Sequence, residues 1–236
     1  SDQLDVVWNA NNYNKSSSSS DVGSAITGGG NTTLQAGQTL KATAASVQAA
    51  GALNVNATDV SIQSGQATQA SDQARQTTNK GFLSSTTITT RDTSSSTTAV
   101  SSSFGGATVA ITASKDIRIL GSNVVSDGVA GGSGTTLTAG GNVNIEAAQN
   151  TSSSSSYRNE TSSGLMSGGG LSISYGTRTQ SNDGKDTTTT AAASTVGSVG
   201  GNVTITAGNQ YKQVGSDVLT PTGDINITAK TVDIQE

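Results

Sequence analysis

The chain contains no cysteine and no histidine, and these two absences remove several kinds of site. Without cysteine there is no disulfide framework and no thiolate metal site, although this absence does not by itself assign a compartment. Without histidine, the many serines lack the imidazole base that a serine nucleophile usually requires. Serine-based nucleophilic catalysis is therefore not expected.

Aromatic residues, charged residues and long apolar runs are also scarce. Aromatics make up 3% of the chain and charged residues 12%, with a net charge of −4. The dispersed lysines and arginines form no basic stripe, and so few aromatics offer no stacking platform, so we expect no nucleic-acid partner. No run of about 20 apolar residues predicts a membrane helix. Residues 1–5 show neither a basic start nor an apolar core, so we expect no secretion signal in this segment.

One short motif of alternating apolar and polar residues occurs three times, at intervals of 83 and 89 residues. Its copies are Val60-Ser-Ile-Gln63, Val143-Asn-Ile-Glu146 and Val232-Asp-Ile-Gln235. Each copy follows a second alternating segment, namely Leu53-Asn-Val55, Leu137-Thr-Ala139 and Ile225-Asn-Ile227. Such recurrence indicates that one supersecondary block has been copied along the chain. We therefore predict a single repeat segment over 1–236, a fragment of a longer array, with approximate blocks 1–63, 64–146 and 147–236.

Within each block, apolar residues alternate with polar ones over three to five positions, and Gly, Asn and Asp separate these segments. This pattern predicts short strands, each with two or three small apolar side chains on one face. Strands so short bury enough surface only if each pairs with the strands above and below it. The spacing of 22 residues between Val203 and Ile225 suits one three-sided coil. We predict an all-β fold, a right-handed parallel β-helix or three-sided solenoid.

Serine- and threonine-rich tracts interrupt the strand blocks and allow two interpretations, solvated loops or long hairpins. The tracts are Ser16–Ser20, Gln66–Lys80, Thr93–Ser103, Ser152–Ser156 and Asn182–Thr190. Lys80-Gly-Phe-Leu-Ser84 resembles Ser163-Gly-Leu-Met-Ser167, so the excursion belongs to the repeat. The alternating segments Thr86–Thr90 and Leu171–Tyr175 are only about five residues long, whereas a membrane-spanning strand needs roughly 9–11. On this pattern we do not expect them to span a membrane.

Three local motifs are candidate sites. Lys115-Asp116-Ile117-Arg118 is the best charge cluster for a carbohydrate-active enzyme, but we interpret it as a solvated turn. Asn182-Asp-Gly-Lys-Asp186 offers two carboxylates to an ion, yet Asn-Asp-Gly is first of all a turn sequence. The glycine runs Gly28–Gly30, Gly131–Gly132 and Gly168–Gly170 lack the Asp spacing of calcium-binding β-rolls. We predict no catalytic, metal or cofactor-binding residue, and the binding residues are not assigned.

Three polar residues follow glycine and precede the first apolar strand position, and they are Asn142, Asn202 and Asp224. Because Gly-Asn and Gly-Asp tolerate positive φ, we interpret these residues as corners at which the chain changes direction.

The blocks around these corners resemble a known family. Gly201-Asn-Val-Thr-Ile-Thr-Ala-Gly208, Gly141-Asn-Val-Asn-Ile-Glu-Ala147 and Gly223-Asp-Ile-Asn-Ile-Thr-Ala229 are similar to hemagglutinin repeats of filamentous-hemagglutinin-type exoproteins. The excursion from Ser152 through Tyr157-Arg158 and Gly164-Leu165 to Thr177 is similar to the second repeat region of contact-dependent growth inhibition effectors of the CdiA type. The resemblance covers nearly the whole chain.

The resemblance implies a non-enzymatic segment of a large secreted bacterial filament, exported through an outer-membrane transporter of a two-partner system. It implies a location at the bacterial cell surface, with a periplasmic stage before deployment. The implied role is toxin delivery to neighbouring bacteria through engagement of the target outer membrane or a surface receptor. An adhesin rod that binds host or bacterial surfaces is the alternative, and a β-helical carbohydrate-active enzyme is a third possibility.

Overall fold

The computed structural model describes residues 1–129, 132–167 and 173–236, and every regular element among them is a strand. The chain divides into two compact units. The hairpin unit comprises Ser1–Ser19, Thr68–Thr97 and Thr151–Thr189. The coil unit comprises Ser20–Ala67, Thr98–Asn150 and Thr190–Glu236. Each unit contains three separate stretches of sequence, so segments of the two units alternate along the chain.

The coil unit is built from three parallel sheets of six strands each. Sheet I contains β3 (Ala25–Gly28), β6 (Ser46–Ala49), β11 (Ser103–Gly106), β14 (Asn123–Ser126), β19 (Thr195–Ser198) and β22 (Asp217–Leu219). Sheet II contains β4 (Thr32–Gln35), β7 (Ala52–Ala57), β12 (Thr108–Ala113), β15 (Ser133–Ala139), β20 (Asn202–Ala207) and β23 (Ile225–Thr228). Sheet III contains β5 (Thr39–Thr43), β8 (Asp59–Gln63), β13 (Ile117–Leu120), β16 (Val143–Glu146), β21 (Gln210–Val214) and β24 (Thr231–Gln235). Successive strands visit sheets I, II and III in turn, so parallel pairing is made between consecutive coils, as in a β-helix.

The inward positions of these coils stack into apolar columns. Val203 pairs with Ile225, as the spacing of 22 residues predicted. In sheet III one column runs through Leu40, Val60, Ile117, Val143, Tyr211 and Val232. The three copies of the repeated phrase therefore share this column. Val60, Ile117, Val143 and Tyr211 are at most 1% exposed. Burying one such side chain stabilises the fold by roughly 1.5–3 kcal/mol.

One predicted equivalence was wrong by two residues. Leu137 aligns with Ile111 and Ile205, and Thr135 takes the position that Leu53 has in its own coil. Thr135 is fully buried, and its hydroxyl donates to the carbonyl of Gly197 at 2.6 Å. The register of β15 shifts between Ser133 and Thr135. This irregularity explains why the alternating motif in the sequence begins two residues after the true inward position.

A ladder of buried serines closes the corner between sheets III and I. Ser102, Ser122 and Ser194 are all fully buried. The Ser122 hydroxyl donates to the carbonyl of Leu120 at 2.9 Å, across a two-residue corner. The Ser194 hydroxyl donates to the carbonyl of Glu146 at 2.7 Å, although 48 residues separate them. The same corner bond thus forms with or without an excursion in the chain.

The hairpin unit is built around one six-stranded sheet in the order β1-β2-β9-β10-β17-β18. Its strands are β1 (Asp2–Asn9), β2 (Asn12–Ser20), β9 (Gly65–Gly81), β10 (Ser84–Val100), β17 (Ala148–Ser167) and β18 (Ile173–Ala192). β1 pairs antiparallel with β2, and β10 pairs antiparallel with β17. Apart from residues 101–103, the polar tracts lie in these strands, so the hairpin interpretation is confirmed and the loop interpretation is wrong.

The predicted strand length of about five residues was also wrong. Thr86–Thr90 lies within β10, which has 17 residues, and β17 and β18 have 20 each. Main-chain hydrogen bonds extend a strand wherever a partner lies beside it, and β-branched threonine suits the pleat without any apolar alternation. Of the second predicted segment, Leu171 and Ser172 lie outside the described residues, and Ser174 and Tyr175 lie in β18.

Candidate functional site

The hairpin sheet brings aromatic and charged side chains together on one face. Arg91 of β10 is directly opposite Tyr157 of β17. Asp72 of β9 accepts hydrogen bonds from Arg91 and from Tyr13 of β2. These four residues lie on four different strands. They come together because β2, β9, β10 and β17 are neighbours in the sheet. We call Tyr13, Asp72, Arg91 and Tyr157 the central cluster.

A fork-shaped ion pair holds the central cluster together. Arg91 Nε lies 3.0 Å from Asp72 Oδ1, and Arg91 Nη2 lies 2.8 Å from Asp72 Oδ2. The Tyr13 hydroxyl donates to Asp72 Oδ1 at 3.1 Å, and Lys15 Nζ lies 5.4 Å from the centre of the Tyr13 ring. Bidentate geometry of this kind fixes both side chains. The Arg91 guanidinium is therefore engaged with Asp72.

Ionisation follows from these contacts. The hydrogen bonds from Arg91 hold the pKa of the Asp72 carboxyl below its ordinary value, and the Tyr13 hydroxyl adds to that effect. Partial removal from water raises the pKa of Tyr13, and its hydrogen bond to Asp72 raises it further. The Asp72 carboxylate likewise raises the pKa of Arg91. The cluster therefore keeps a carboxylate, a guanidinium and a neutral phenol across the neutral range.

An open groove of about 630 Å³ runs beside the central cluster. It is lined by Asn11, Tyr13, Arg91, Tyr157 and Asp183, among others. Tyr157 is 40% exposed, so part of its side chain is accessible to a ligand. Aromatic rings beside amide and carboxylate groups can hold a polar ligand with a flat apolar face, such as a sugar ring.

The ends of the hairpins carry exposed apolar residues. Phe82 and Leu83 form the connection between β9 and β10 and are 95% and 55% exposed. Leu83 has a φ of +58°, a left-handed conformation that branched and bulky side chains rarely adopt. Trp8 lies near the end of β1 and is 71% exposed, and Leu165 and Tyr175 approach the third hairpin end. We call Trp8, Phe82 and Leu83 the apolar tips. Large exposed apolar groups on strained turns are typical of interaction sites.

The sequence-predicted charge cluster lies in the coil unit, at the start of β13. Asp116 Oδ1 accepts a hydrogen bond of 2.6 Å from the backbone N–H of Asn142. Arg118 Nη2 lies 2.9 Å from Glu146 Oε2, and Lys212 Nζ lies 3.5 Å from Glu146 Oε1. Ile117 is fully buried between the two charged residues. Asp116 and Arg118 therefore join neighbouring coils and are not placed together as an acid and a base.

The Asn182–Asp186 segment is not a turn, because it lies inside the long strand β18. Asp183 and Asp186 stand three positions apart on this strand, so their side chains point to opposite faces. Two carboxylates so placed cannot hold one ion. Over residues 1–129, 132–167 and 173–236, no three acidic side chains are grouped as metal ligands. Gly131 and Gly168–Gly170 of the glycine runs lie outside the described residues.

The three corner residues lie at corners, but not for the predicted reason. Positive φ among the described non-glycine residues occurs at Ala44 and Leu83, not at Asn142, Asn202 or Asp224. Asn202 Oδ1 accepts a hydrogen bond of 2.8 Å from the backbone N–H of Asp224. Asn142 Oδ1 accepts one of 2.9 Å from Asn209 Nδ2. These side chains tie one coil to the next.

Sequence reasoning missed the central cluster entirely. Tyr13 and Asp72 are 59 positions apart, and Asp72 and Arg91 are 19 apart. Only the pairing of β2, β9 and β10 unites them.

Within the described parts of the chain, no helix has the length and apolar character needed to cross a membrane.

Comparison of the sequence with known proteins identifies a family. A family model described as the hemagglutinin repeat matches residues 9–92 and 83–235. A 16S rRNA endonuclease CdiA of Enterobacter cloacae is 36% identical over 216 residues, which is 90% of this chain and 6% of that protein. A tRNA nuclease CdiA of Escherichia coli (strain STEC_O31) is 35% identical over 196 residues, 81% of this chain and 6% of its own length.

A third relative, a tRNA nuclease CdiA of Burkholderia pseudomallei, is 45% identical over 111 residues, covering 47% of this chain and 8% of that protein. The chain thus spans only 6% to 8% of these three relatives. No solved structure matches it.

Proposed function

Because the chain belongs to the hemagglutinin-repeat family, we propose that it is a non-enzymatic structural and interaction segment of a large secreted bacterial exoprotein. The segment acts in toxin delivery to neighbouring bacteria and engages the outer membrane of the target cell. Similarity to CdiA proteins over 90% and 81% of the chain supports this role. The proposed partners are an outer-membrane transporter of a two-partner system during export and the target membrane or a surface receptor. The proposed location is the bacterial cell surface, with a periplasmic stage before deployment.

The architecture we propose for the coil unit is a right-handed, three-sided solenoid. Three parallel sheets visited in constant order support three sides, and right-handed crossover is the usual hand for parallel strands. We also propose the blocks 1–63, 64–146 and 147–236 as the repeating units. Each block contains two strands of the hairpin sheet followed by six strands of the coil unit, which supports this division.

The observation that carries the proposed function is the set of apolar tips. Phe82 is 95% exposed and Trp8 is 71% exposed, although the chain has very few aromatics to place anywhere. Aromatic side chains favour the boundary between lipid headgroups and acyl chains. The strands behind the tips carry serine, threonine and the Asp72–Arg91 ion pair, which are costly to bury in hydrocarbon. We therefore assign membrane contact to the tips and keep the faces of the hairpin sheet in water.

Binding of purified variants to vesicles tests this assignment. The variant Phe82→Ser/Leu83→Ser removes the most exposed tip, and Val22→Ser is a matched control because Val22 is 94% exposed in the coil unit. We expect the tip variant to bind outer-membrane vesicles from related bacteria at least tenfold more weakly than the unmodified chain. The control is expected to bind as the unmodified chain does. Equal binding by the tip variant and the control would overturn the assignment.

An adhesin is the second candidate, and the groove beside the central cluster favours it. An exposed phenol ring of Tyr157 beside the Asp183 carboxylate suits a surface glycan better than a bilayer. Tyr157→Ala separates the two candidates, since a loss of binding to glycan-bearing host cells with vesicle binding intact favours the adhesin. The third possibility, a carbohydrate-active enzyme, gains no support from Asp116 and Arg118, which are engaged between coils.

A further inference from the structure

Seven asparagines of the chain begin the motif Asn-x-Ser/Thr, with x other than proline, which is the acceptor sequence for N-linked sugars in secreted proteins. They are Asn14, Asn31, Asn56, Asn150, Asn159, Asn202 and Asn226. Serine and threonine are so abundant in this chain that several such motifs arise from composition alone. The motif by itself therefore selects no site, and the surroundings of each asparagine have to decide.

Hydrogen bonds distinguish Asn159 from the other motif asparagines. The side-chain oxygens of Asn31, Asn150 and Asn202 each accept a bond from a main-chain N–H, so these side chains already link separate parts of the chain. Asn159 Oδ1 instead accepts a bond of 3.2 Å from the hydroxyl of Thr161, the third residue of its own motif. This bond uses only the amide oxygen, so the nitrogen, which is the atom that carries the sugar, is not involved in it.

An aromatic residue, Tyr157, stands two positions before Asn159, and none of the other six motifs has an aromatic residue there. Both residues lie in the extended strand β17, so Tyr157, Asn159 and Thr161 line one face, with neighbours about 6.7 Å apart. Tyr157 is 40% exposed. A sugar on Asn159 is therefore within reach of the phenol ring, on which the apolar C–H face of a pyranose can pack.

The folded hairpin sheet leaves room for a sugar at this position. Thr89 of β10 is directly opposite Asn159, and Thr89 and Tyr157 both line the groove of about 630 Å³ described above. Thr93 and Ser155 lie along the same groove. Their hydroxyls can donate to and accept from the hydroxyls of a sugar. The attached group would thus find an apolar ring and several hydrogen-bonding partners in space that is already open.

We propose that Asn159 is an N-glycosylation site whose attached sugar packs on Tyr157 in this groove. The donor is a sugar linked through its anomeric carbon to a diphosphate. The amide nitrogen of Asn159 bonds to that carbon as the bond from carbon to the diphosphate oxygen breaks. The diphosphate leaves with the electron pair, and a base of the transferase takes the proton lost from nitrogen.

The position of β17 in the sheet sets the order of events. Asn159 is partly buried, and β17 lies between β10 and β18. The transferase therefore meets the extended chain before these strands pair. The modification does not depend on the proposed membrane role, and it fills space that the adhesin alternative assigns to a free glycan.

Peptide mass spectrometry of the protein recovered from the surface of the bacterium that secretes it tests the site. We expect the peptide that contains Asn159 to carry a sugar in most molecules. A single sugar identifies a nucleotide-linked donor and an oligosaccharide identifies a lipid-linked donor, and either mass supports the site. An Asn159 that carries no sugar would overturn the proposal.

Substitutions within the motif test whether a transferase recognises it. Thr161→Ser keeps the hydroxyl and should keep the attachment, whereas Thr161→Ala and Asn159→Gln should lower it at least tenfold. Asn14→Gln, at an exposed motif in β2, is the matched control and should leave the Asn159 peptide unchanged. Attachment that persists in Thr161→Ala would show that the motif is not what is recognised.

NMR of the modified chain tests where the sugar lies. Packed on the phenol ring, the C–H protons of the sugar should be shifted upfield, and this shift should disappear in Tyr157→Ala while the sugar stays attached. Tyr175→Ala removes another exposed tyrosine of the hairpin sheet and should leave the shift unchanged. Circular dichroism of each variant verifies that the strands have formed. Identical sugar signals with and without Tyr157 would rule out the packing.

Discussion

Tyr211 is the largest side chain that is fully buried in the coil unit. It occupies a column position that valine or isoleucine fills in the neighbouring coils, and its hydroxyl donates to Gln213 Oε1 at 2.7 Å. Gln213 in turn donates to the carbonyl of Ser216 at 2.5 Å. One phenol thus brings a short polar chain into an otherwise apolar column, and it is satisfied only while the phenol stays protonated.

Alkaline pH should destabilise the coil unit through this phenol. Burial raises the pKa of Tyr211 from 10.0 to about 12. A raised folded-state pKa means that the unfolded chain loses its proton first, so stability is complete below pH 10 and falls between about pH 10 and pH 12. The loss expected from such a shift is about 2–3 kcal/mol. Urea unfolding of Tyr211→Phe should show a weaker dependence on pH in this window, and equal slopes in both chains would contradict the assignment.

The serine ladder makes a second prediction at the scale of single residues. Ser194→Ala removes the hydroxyl that donates to the carbonyl of Glu146 and accepts from the N–H of Ser122. The Ser122 N–H then stays buried without that partner, while the Glu146 carbonyl keeps the N–H of Gly121, and we expect a cost of about 1–3 kcal/mol. Ser18→Ala, on the exposed strand β2, is the control and should change the unfolding free energy by less than about 0.5 kcal/mol. Similar effects of the two changes would show that the ladder does not stabilise the corner.

At the scale of elements, corners with and without an excursion are alike. Leu120-Gly121-Ser122 turns directly from sheet III to sheet I, with a φ of +55° at Gly121. At the preceding corner, Ser102 donates its hydroxyl to the carbonyl of Gln63 at 2.6 Å after an excursion through β9 and β10. The hairpins are therefore inserted at a corner whose hydrogen bond forms in either case.

Removal of one hairpin should leave the coil unit folded. The design deletes residues 65–101 and changes Ser64→Gly, so that Gln63-Gly-Ser102 copies the direct corner. Hydrogen exchange should show unchanged protection at Val60 and Ile62, while the hairpin sheet loses its central strands. The same deletion with Ser64 retained should be less stable by about 1 kcal/mol, because a side chain would adopt positive φ. Loss of protection at Val60 in the glycine design would contradict this separation.

Prediction from sequence succeeded where one element repeats and failed where different elements pair. Val203 and Ile225 revealed the coil length because similar alternating strands occupy equivalent positions in two consecutive coils. The inward position at Thr135 was missed, because a threonine whose hydroxyl donates to the carbonyl of Gly197 replaces the expected apolar residue. The lengths of β10 and β17 had no signal in apolar periodicity, because pairing alone sustains strands of serine and threonine. The central cluster needed the order of strands in the sheet, which no local pattern carries.

At the scale of the whole molecule, the chain combines a unit that stacks coils with a unit that presents apolar tips. The coil unit repeats one parallel interface between consecutive coils, whereas the hairpin unit holds the exposed aromatic residues. The stacked coils and the exposed aromatic residues thus belong to different parts of one polypeptide. This division is compatible with the proposed role in toxin delivery.

The measurement that tests this account most directly is binding of the intact chain to three kinds of membrane. These are outer-membrane vesicles from related bacteria, host-cell membranes and protein-free liposomes. The account predicts saturable binding to the bacterial vesicles, reduced in the Phe82→Ser/Leu83→Ser variant and absent from host-cell membranes. Binding to none of the three, or to host-cell membranes alone, would contradict it.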